Sequence, residues 1–277
     1  MKWIRPSSLL LFATVILFAC NNSSEKKEPA QEAKPVKLKE ENVSYKLDTV
    51  SMNGFIVYDE NIAGKRPVVF VVPEWWGLNE YTKRRARELA ALGYMAMTVD
   101  MYGNGQQADN PELAGKLAGP FYQNPVMAKA RFDAAVNTLK TYAQADTTKM
   151  AGIGYCFGGT MVLNFARMGE GLAGVVSFHG NLVGTPADKN LLKAKVLVLH
   201  GNDDKFVTPG EVQAFKKQMD SIGASYTFKG YDSATHAFTN PDATATGKKF
   251  GIPVAYNAAA DTASWNEMKL FLSALFK

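Results

Sequence analysis

The chain has 277 residues, of which 47% are hydrophobic and 21% are charged, and its formal net charge is +5. This composition excludes an intrinsically disordered chain and is typical of a globular protein with a sizeable core. Basic residues alternate with acidic ones, as in Glu25-Lys26-Lys27-Glu28, and they form no dense basic stripe. We therefore predict an ordinary solvated surface and no nucleic-acid partner.

The N-terminus has the pattern of a secretory signal. Lys2 and Arg5 precede an apolar run from Leu9 to Ala19 that is too short to span a bilayer. The sequence Leu17-Phe18-Ala19-Cys20 resembles a bacterial lipobox, in which the cysteine is lipid-modified and begins the mature protein, although Phe18 is bulkier than usual. We expect residues 1–19 to be a lipoprotein signal peptide. A plain signal peptide or an N-terminal membrane anchor is the alternative.

Residues 20–43 are rich in Asn, Ser, Lys, Glu, Pro and Ala. Such a segment cannot bury enough apolar surface to fold, so we predict a flexible linker after a lipidated Cys20. The protein is then an exported bacterial lipoprotein, periplasmic or anchored to the outer membrane, whose membrane contact is this lipid alone. The chain contains 2 cysteines, so lipidation of Cys20 leaves Cys156 without a disulfide partner.

Residues 44–277 are predicted to form a single α/β domain. A hairpin over residues 45–58, with its turn at Met52-Asn53-Gly54, comes first. Apolar strands then alternate with amphipathic helices: strands at 67–72, 94–99, 150–154, 173–178, 195–200 and 225–230, and helices at 80–92, 126–143, 157–168, 209–222 and 257–276. This order predicts a mostly parallel central sheet with helices on both faces, whose ligand site lies at the carboxyl ends of the strands.

A cysteine stands between glycines where the strand 150–154 runs into a helix. The sequence Gly154-Tyr155-Cys156-Phe157-Gly158-Gly159 matches the G-x-S-x-G nucleophile elbow, with Cys in place of Ser. The glycines let neighbouring backbone approach a strained turn, and the start of the following helix favours a thiolate. The spacing alone is equally compatible with a small buried cysteine, so a nucleophile also requires partners.

The partners of such a nucleophile follow it in the order acid, then histidine. Asp204 lies after the strand 195–200, where the acid belongs, and His236 lies after the strand 225–230, where the base belongs. The base must reach the thiol, and the acid must hold the base in the right tautomer. We therefore predict Cys156, His236 and Asp204 as catalytic residues, with Asp203 as the alternative acid.

The two remaining histidines of the chain also stand at strand ends. His179 follows the strand 173–178, and it either lines the site or has a structural role. His200 ends the strand 195–200, and we expect it to hydrogen-bond the loop that carries the acid. Neither histidine has an acid in the order that this fold requires, which is nucleophile, acid, histidine.

These residues carry a resemblance to the dienelactone hydrolase family. The resemblance rests on the segment 154–159, the loop around Asp204, the sequence His236-Ala237-Phe238 and the segment 72–79. The motifs are in register, and the likeness spans nearly all of residues 45–277. It implies an α/β-hydrolase fold and a Cys-His-Asp triad.

The resemblance also implies roles for three residues around the thiol. Glu74 is expected beside the resting thiol, where its carboxylate opposes thiolate formation until substrate rearranges the pair. The backbone N–H groups of Phe157 and Trp75 are expected to form the oxyanion hole. From the sequence alone, an ordinary ion pair of Glu74 with Arg84 or Arg85 is the alternative.

Two positions depart from the family pattern. The resemblance places arginines that hold a substrate carboxylate at Asn104 and Asn240, and asparagine cannot supply a bidentate, charged contact. A substrate other than dienelactone itself, either neutral or held by other groups, is therefore expected. The possible substrate pocket comprises Trp76, Tyr102, Asn104, His179 and Asn240. Trp75, Phe121, Tyr122 and Tyr256 belong either to this pocket or to the core, and residues 106–123 form a candidate lid.

The predicted function is hydrolysis of a carboxylic ester, lactone or thioester through an acyl-cysteine intermediate. A catalytically silent, lipid-anchored protein that binds a ligand in the hydrolase cleft is one alternative, and an acyltransferase is another. The expected partner is a small-molecule ester, lactone or thioester. The sequence indicates no metal or cofactor site and leaves the oligomeric state open.

Overall fold

The computed structural model describes residues 1–3 and 35–277. Within them, eight strands form one sheet in the order β1-β2-β4-β3-β5-β6-β7-β8. The strands are β1 (Leu38–Leu47), β2 (Val50–Asp59), β3 (Arg66–Val72), β4 (Met95–Thr98), β5 (Ala145–Tyr155), β6 (Gly174–Phe178), β7 (Lys195–Gly201) and β8 (Tyr226–Tyr231). Strand β2 pairs antiparallel with β1 and β4, whereas all other neighbours are parallel. The predicted mostly parallel sheet is confirmed.

Helices follow most of the parallel strands. In the described residues they are α1 (Glu80–Ala91), α2 (Pro111–Gln123), α3 (Pro125–Leu139), α4 (Phe157–Arg167), α5 (Pro209–Ser221), α6 (Ala243–Phe250) and α7 (Ala258–Leu275). Asn79 begins α1 and Thr208 begins α5, each through a capping box that satisfies otherwise free backbone N–H groups. None of the helices in this part of the chain has the length and apolar character that a membrane span requires.

The central strands of the sheet are buried on both faces, and β3 shows how their residues divide between two hydrophobic cores. Val68, Phe70 and Val72 contribute to the core beneath α3, α4 and α5. Val69 and Val71 contribute to the opposite core, beneath α1 and α7. Successive side chains of a strand point to opposite faces, so a strand covered on both sides has to be apolar at every position.

The first hairpin differs from the prediction in the position of its turn. Leu47 pairs with Val50, so the turn lies at residues 48–49, and the predicted turn residues 52–54 lie inside β2. Gly54 has a different purpose there, because a Cβ at this position would lie 3.0 Å from the carbonyl oxygen of Thr98. The glycine permits the close approach of β2 to β4 rather than a reversal of the chain.

Strand β1 begins at Leu38, inside the segment 20–43 that was predicted as a linker. Residues 38–43 are therefore part of the sheet, and the start of the domain at residue 44 was placed too late. Their side chains are mostly polar because β1 is an edge strand, which backbone pairing with β2 holds in place. The predicted signal peptide beyond residue 3, Cys20 and the linker up to residue 34 lie outside the described residues.

Candidate active site

Cys156 occupies the sharp turn between β5 and α4. Its φ is 52° and its ψ is −114°, a strained conformation for a residue with a side chain. A Cβ at Gly154 would lie 2.0 Å from the carbonyl oxygen of Gly158, and a Cβ at Gly158 would lie 2.1 Å from that of Val72. Only glycine fits at these two positions, because backbone passes directly against backbone. The turn presents a free, half-buried thiol at the carboxyl edge of the sheet.

The base and the acid predicted for this nucleophile are in contact with each other. His236 Nδ1 lies 2.8 Å from Asp204 Oδ2, and Asp204 Oδ1 accepts a hydrogen bond of 2.8 Å from the N–H of Phe206. Both side chains are buried. Asp203 is exposed, and its backbone N–H donates to the carbonyl oxygen of Ala234. The structure thus places Asp204, rather than Asp203, against the base.

His236 and Cys156 line the same cavity. Burial disfavours a charged imidazole, but a thiolate on Cys156 and the carboxylate of Asp204 outweigh this penalty and raise the pKa of His236 to about 10, so the imidazole can hold the proton that the thiol gives up. Because Nδ1 bonds to Asp204, Nε2 is the ring nitrogen left to exchange a proton with the thiol. This arrangement suits a general base beside a nucleophile.

Two backbone N–H groups at this edge of the sheet are unengaged. Phe157 is the first residue of α4, so its N–H has no acceptor within the helix. Neither this N–H nor that of Trp75 donates a hydrogen bond to any residue that the structure describes. The hydroxyl of Tyr102 donates a 2.8 Å hydrogen bond to the carbonyl oxygen of Trp75, which holds that segment in place. Free N–H groups at a helix N-terminus suit a developing oxyanion.

Glu74 lines the same cavity as Cys156 and is 2% exposed. Its Oε2 accepts a hydrogen bond of 2.7 Å from Nδ2 of Asn240. Burial raises the pKa of Glu74 to about 7, against the opposing effects of the Asn240 hydrogen bond and of His236. The carboxyl group therefore changes its charge near neutral pH, in the cavity that holds the thiol.

The ion pairs considered as an alternative for Glu74 do not form. Arg84 lies 3.7 Å from Glu88, and Arg85 contacts Glu88 and Asp261. Glu74 thus forms no ion pair with an arginine among the described residues, and its side-chain hydrogen bond is to the neutral amide of Asn240.

The cavity has a volume of about 350 Å³. Its wall is mostly apolar and consists of Glu74, Trp75, Trp76, Gly115, Ala118, Gly119, Tyr122, Cys156, Asn181, Phe206, His236, Ala237, Asn240, Ala243, Thr246, Ile252 and Val254. No lysine or arginine belongs to this wall as the structure describes it. A wall of this kind suits an uncharged acyl group, because it offers contact area and no lysine or arginine for a carboxylate.

Of the five residues predicted for a substrate pocket, Trp76 and Asn240 line the cavity. Tyr102 is buried, and its hydroxyl holds the Trp75 carbonyl, so it supports the site from behind. Asn104 is exposed, with a φ of 55°, because the turn at residues 103–105 carries it away from the cavity. His179 is 1% exposed and lies behind the elbow. The structure therefore places Tyr102, Asn104 and His179 outside the cavity wall, contrary to the prediction that they belong to the substrate pocket.

The hydrogen bond predicted from His200 to the acid loop is not formed. The Nδ1 atom of His200 is buried without a partner among the described residues, and its ring packs against Phe228 with 5.6 Å between centroids. Burial lowers the pKa of this histidine, so the ring is held as a neutral, space-filling group.

Comparison with known proteins identifies the family. A family model described as the dienelactone hydrolase family matches residues 52–276. The chain belongs to the dienelactone hydrolase family. Protein usf of Aquifex pyrophilus is 30% identical over 203 residues, covering 72% of this chain and 86% of the relative. Of the solved structures, the dienelactone hydrolase-like promiscuous phosphotriesterase P91 from metagenomic libraries is 33% identical with a TM-score of 0.81, and m3DLH is 32% identical with a TM-score of 0.82; each alignment covers 87% of this chain and 99% of the other.

The protein is thus a dienelactone hydrolase-like hydrolase of carboxylic esters or lactones, and its fold is the α/β-hydrolase fold. At the carboxyl edge of its sheet, His236 contacts Asp204 and lines the same cavity as Cys156. Among the residues described, no three His, Cys, Asp or Glu side chains are arranged to hold a metal ion.

In this member of the dienelactone hydrolase family, helix α2 forms part of the cavity wall. It lies within residues 106–123, for which the sequence predicted a candidate lid. The side of α2 that faces the cavity carries Gly115, Ala118, Gly119 and Tyr122. Wall residues that the sequence did not predict are Asn181, Phe206, Ala243, Thr246, Ile252 and Val254. A helix start could have been recognised in α2, because Asn110 caps it and Pro111 occupies its first position.

Replacing Glu74 by glutamine is expected to change how stability depends on pH. The pKa of about 7 exceeds the ordinary 4.5, so the protonated carboxyl group stabilises the fold below pH 4.5, and this contribution is lost as the pH rises to 7. The shift corresponds to about 3 kcal/mol. Between pH 4.5 and pH 8, the unfolding free energy of the wild type should therefore fall by about 3 kcal/mol relative to Glu74→Gln, measured by urea denaturation.

Glu112→Gln is the matched control, because Glu112 is an exposed glutamate on α2. It should show the pH dependence of the wild type. Parallel stability curves for the wild type and Glu74→Gln would contradict titration of a buried Glu74 near neutral pH.

Proposed function

We propose that this protein hydrolyses an uncharged carboxylic ester, lactone or thioester through an acyl-cysteine intermediate. Cys156 is the nucleophile, His236 the general base and acid, and Asp204 the residue that orients His236. The observation that carries the proposal is the 2.8 Å contact between Asp204 and a His236 that shares one cavity with the elbow thiol. The order of the three residues along the chain supports it.

The first half of the reaction acylates the enzyme. His236 Nε2 takes the thiol proton as the sulfur of Cys156 attacks the carbonyl carbon of the substrate. The carbonyl oxygen becomes an oxyanion, which the N–H groups of Phe157 and Trp75 stabilise. When this intermediate collapses, the bond to the leaving alcohol or thiol breaks, and the leaving group takes the proton from His236.

The second half regenerates the enzyme. His236 takes a proton from a water molecule, which attacks the thioester carbon of the acyl-cysteine. The sulfur leaves as the second tetrahedral intermediate collapses, and it receives the proton that His236 holds. A carboxylic acid is released, and the free thiol is restored.

We propose that Glu74 keeps the resting thiol of Cys156 unreactive. When ionised, its carboxylate repels a thiolate in the same cavity. The neutral amide of Asn240 fixes the carboxylate without cancelling its charge. A substrate that displaces the Glu74 carboxylate removes this repulsion at the moment when the thiolate is needed.

The preference for an uncharged substrate follows from the wall of the cavity. Asn240 lies at the position where the family pattern has an arginine, and one of the two N–H donors of its amide binds Glu74. An anionic acyl group would therefore meet Glu74 and no lysine or arginine. The similar protein P91 is described as a promiscuous phosphotriesterase, and a phosphotriester is likewise uncharged.

The proposal is tested with a panel of short p-nitrophenyl esters, lactones, thioesters and one phosphotriester. We expect saturable hydrolysis of at least one uncharged carboxylic substrate and a mass increase equal to its acyl group on the peptide that contains Cys156. A thiol acceptor added with the substrate separates hydrolysis from acyl transfer. Binding of the panel without turnover or adduct would instead indicate a ligand-binding protein.

Asn240→Arg is expected to shift the substrate preference towards anions. An arginine in the cavity wall can bind a carboxylate and neutralise Glu74, so the ratio of kcat/KM for a carboxylate-bearing ester to that for its neutral analogue should rise by about tenfold. Asn104→Arg is the matched control, because Asn104 is exposed and outside the cavity. A similar shift in both variants would show that overall charge, rather than the cavity, sets the preference.

We also propose that the protein is exported and held at a membrane by a lipid on Cys20. The support is the lipobox-like sequence 17–20 behind a basic start and an apolar run. Cys20→Ser should move the protein from the membrane fraction to the soluble fraction of bacterial cells. Equal partition of both forms would contradict the proposal.

A further inference from the structure

A second histidine stands behind the proposed triad. His179 follows β6 and has a φ of 40°, in the left-handed region that residues with a side chain seldom adopt. It is 1% exposed and forms no part of the cavity wall. A strained backbone and a buried imidazole at a strand end beside the nucleophile require an explanation that substrate contact does not give.

The two nitrogens of His179 connect the two halves of the site. Nδ1 accepts a hydrogen bond of 3.1 Å from the backbone N–H of Cys156, which it shares with the carbonyl oxygen of Phe178 at 3.0 Å. Nε2 lies 2.8 Å from Oγ1 of Thr239, in the loop that carries His236. A backbone N–H can only donate, so Nδ1 is the acceptor and Nε2–H donates to Thr239.

The contacts of His179 continue on both sides. Its ring packs edge-on against that of His236, with 5.3 Å between centroids. Thr239 is itself anchored, because its Oγ1 lies 2.6 Å from the hydroxyl of Tyr81 and its carbonyl oxygen accepts a 2.8 Å hydrogen bond from Arg85. The loop of the base is therefore tied to α1, and through His179 to the end of β6, three residues beyond His236.

We propose that His179 is a positioning residue that sets the distance between the nucleophile and the base. One imidazole nitrogen holds the backbone of Cys156, and the other holds the His236 loop through Thr239. This inference rests on the proposed function, since it concerns the geometry of the same thiol and base. Misplacement of a reacting group by about 1 Å can cost about 100-fold in rate, so such a connection has a measurable effect.

The electrostatics of His179 agree with this role. Burial, reinforced by the nearby His236, lowers the pKa of His179 well below its ordinary value. The ring therefore stays neutral when His236 is protonated during turnover, and Nδ1 remains available as an acceptor. A second imidazolium would instead lose the hydrogen bond to Cys156.

His179→Phe keeps an aromatic ring and removes both hydrogen bonds. We expect kcat to fall by about 10- to 100-fold with KM changed by less than about twofold, because binding in the cavity is untouched. His179→Asn, whose Oδ1 can accept from the Cys156 N–H, should recover part of the loss. His200→Phe is the control for a buried strand-end histidine, and its kcat should stay within about twofold of the wild type.

A second pair of variants keeps the test open if His179→Phe does not fold. Thr239→Val removes the hydroxyl with little change in shape, and it should lower kcat by about fivefold or more. Thr239→Ser keeps the hydroxyl and should restore most of the activity. A Thr239→Val enzyme with the kcat of the wild type, or a Thr239→Ser enzyme as slow as Thr239→Val, would overturn the inference.

Alkylation of Cys156 by iodoacetamide supplies a readout that does not need turnover. If His179 positions the base, the pH at which alkylation is half-maximal should rise by about one unit in His179→Phe and stay unchanged in His200→Phe. Unchanged profiles in folded His179→Phe and Thr239→Val would overturn the role of His179. Failure of the wild type to hydrolyse any ester would overturn the proposed function alone, because the alkylation profiles remain to be compared.

Discussion

Replacing Cys156 by alanine is expected to lower kcat for ester hydrolysis by about five orders of magnitude. The sulfur forms the bond to the acyl group, and without it the cavity retains only binding contacts and the free N–H groups. Alanine is smaller than cysteine and tolerates the same backbone position, so the fold should be kept. Steady-state hydrolysis of the best p-nitrophenyl ester of the panel measures the effect, and near-ultraviolet circular dichroism checks the packing.

Cys20→Ser is the matched control, because the chain has 2 cysteines and this variant removes the other one. It should retain the kcat of the wild type in detergent extracts. The acyl adduct should be found in Cys20→Ser and be missing in Cys156→Ala. Residual activity of more than about a tenth of the wild type in Cys156→Ala would exclude a covalent role for this thiol.

Replacing Asp204 by asparagine is expected to lower kcat by about four orders of magnitude. Asparagine is close in shape, but its amide can present an N–H to Nδ1 of His236, where the carboxylate oxygen now lies at 2.8 Å. The ring proton would then move to Nε2, which could no longer accept the thiol proton. The loss should appear in kcat, with KM nearly unchanged, because Asp204 does not line the cavity.

The neighbouring residue provides a close control for this prediction. Asp203→Asn makes the same chemical change at an exposed position one residue away, where the backbone rather than the side chain makes the hydrogen bond. Its kcat should stay within about twofold of the wild type. Equal losses in both variants would show that the loop, and not the contact with His236, is what the substitution disturbs.

The elbow and the acid–base pair could be predicted from the sequence because covalent order and backbone sterics determine them. Gly154 and Gly158 are glycines because any Cβ would overlap backbone, so the pattern is visible without a structure. His236 and Asp204 follow successive strands of a parallel sheet, and the carboxyl ends of such strands meet at one edge. The central strands could be predicted as well, because burial on both faces makes their sequences mostly apolar.

What could not be predicted depends on contacts between distant segments. Gly54 suggested a turn, but its purpose is the approach of another strand, which local sequence does not reveal. Asn104 was placed in the pocket by its position in the chain, whereas the conformation of its turn carries it to the surface. Helix α2 was missed because Gly115, Gly119 and Pro120 lower its helix propensity. The surroundings of Glu74 and His179 follow from packing between loops that lie far apart in the chain.

Two glycines of helix α2 make the depth of the cavity easy to change by substitution. A Cβ at Gly115 or Gly119 would meet no atom within 4 Å, although both glycines line the cavity. Glycine inside a helix costs about 1 kcal/mol relative to alanine, so larger residues at these positions would strengthen α2 while they fill the pocket. The two glycines therefore keep the cavity wide at a cost to the stability of α2.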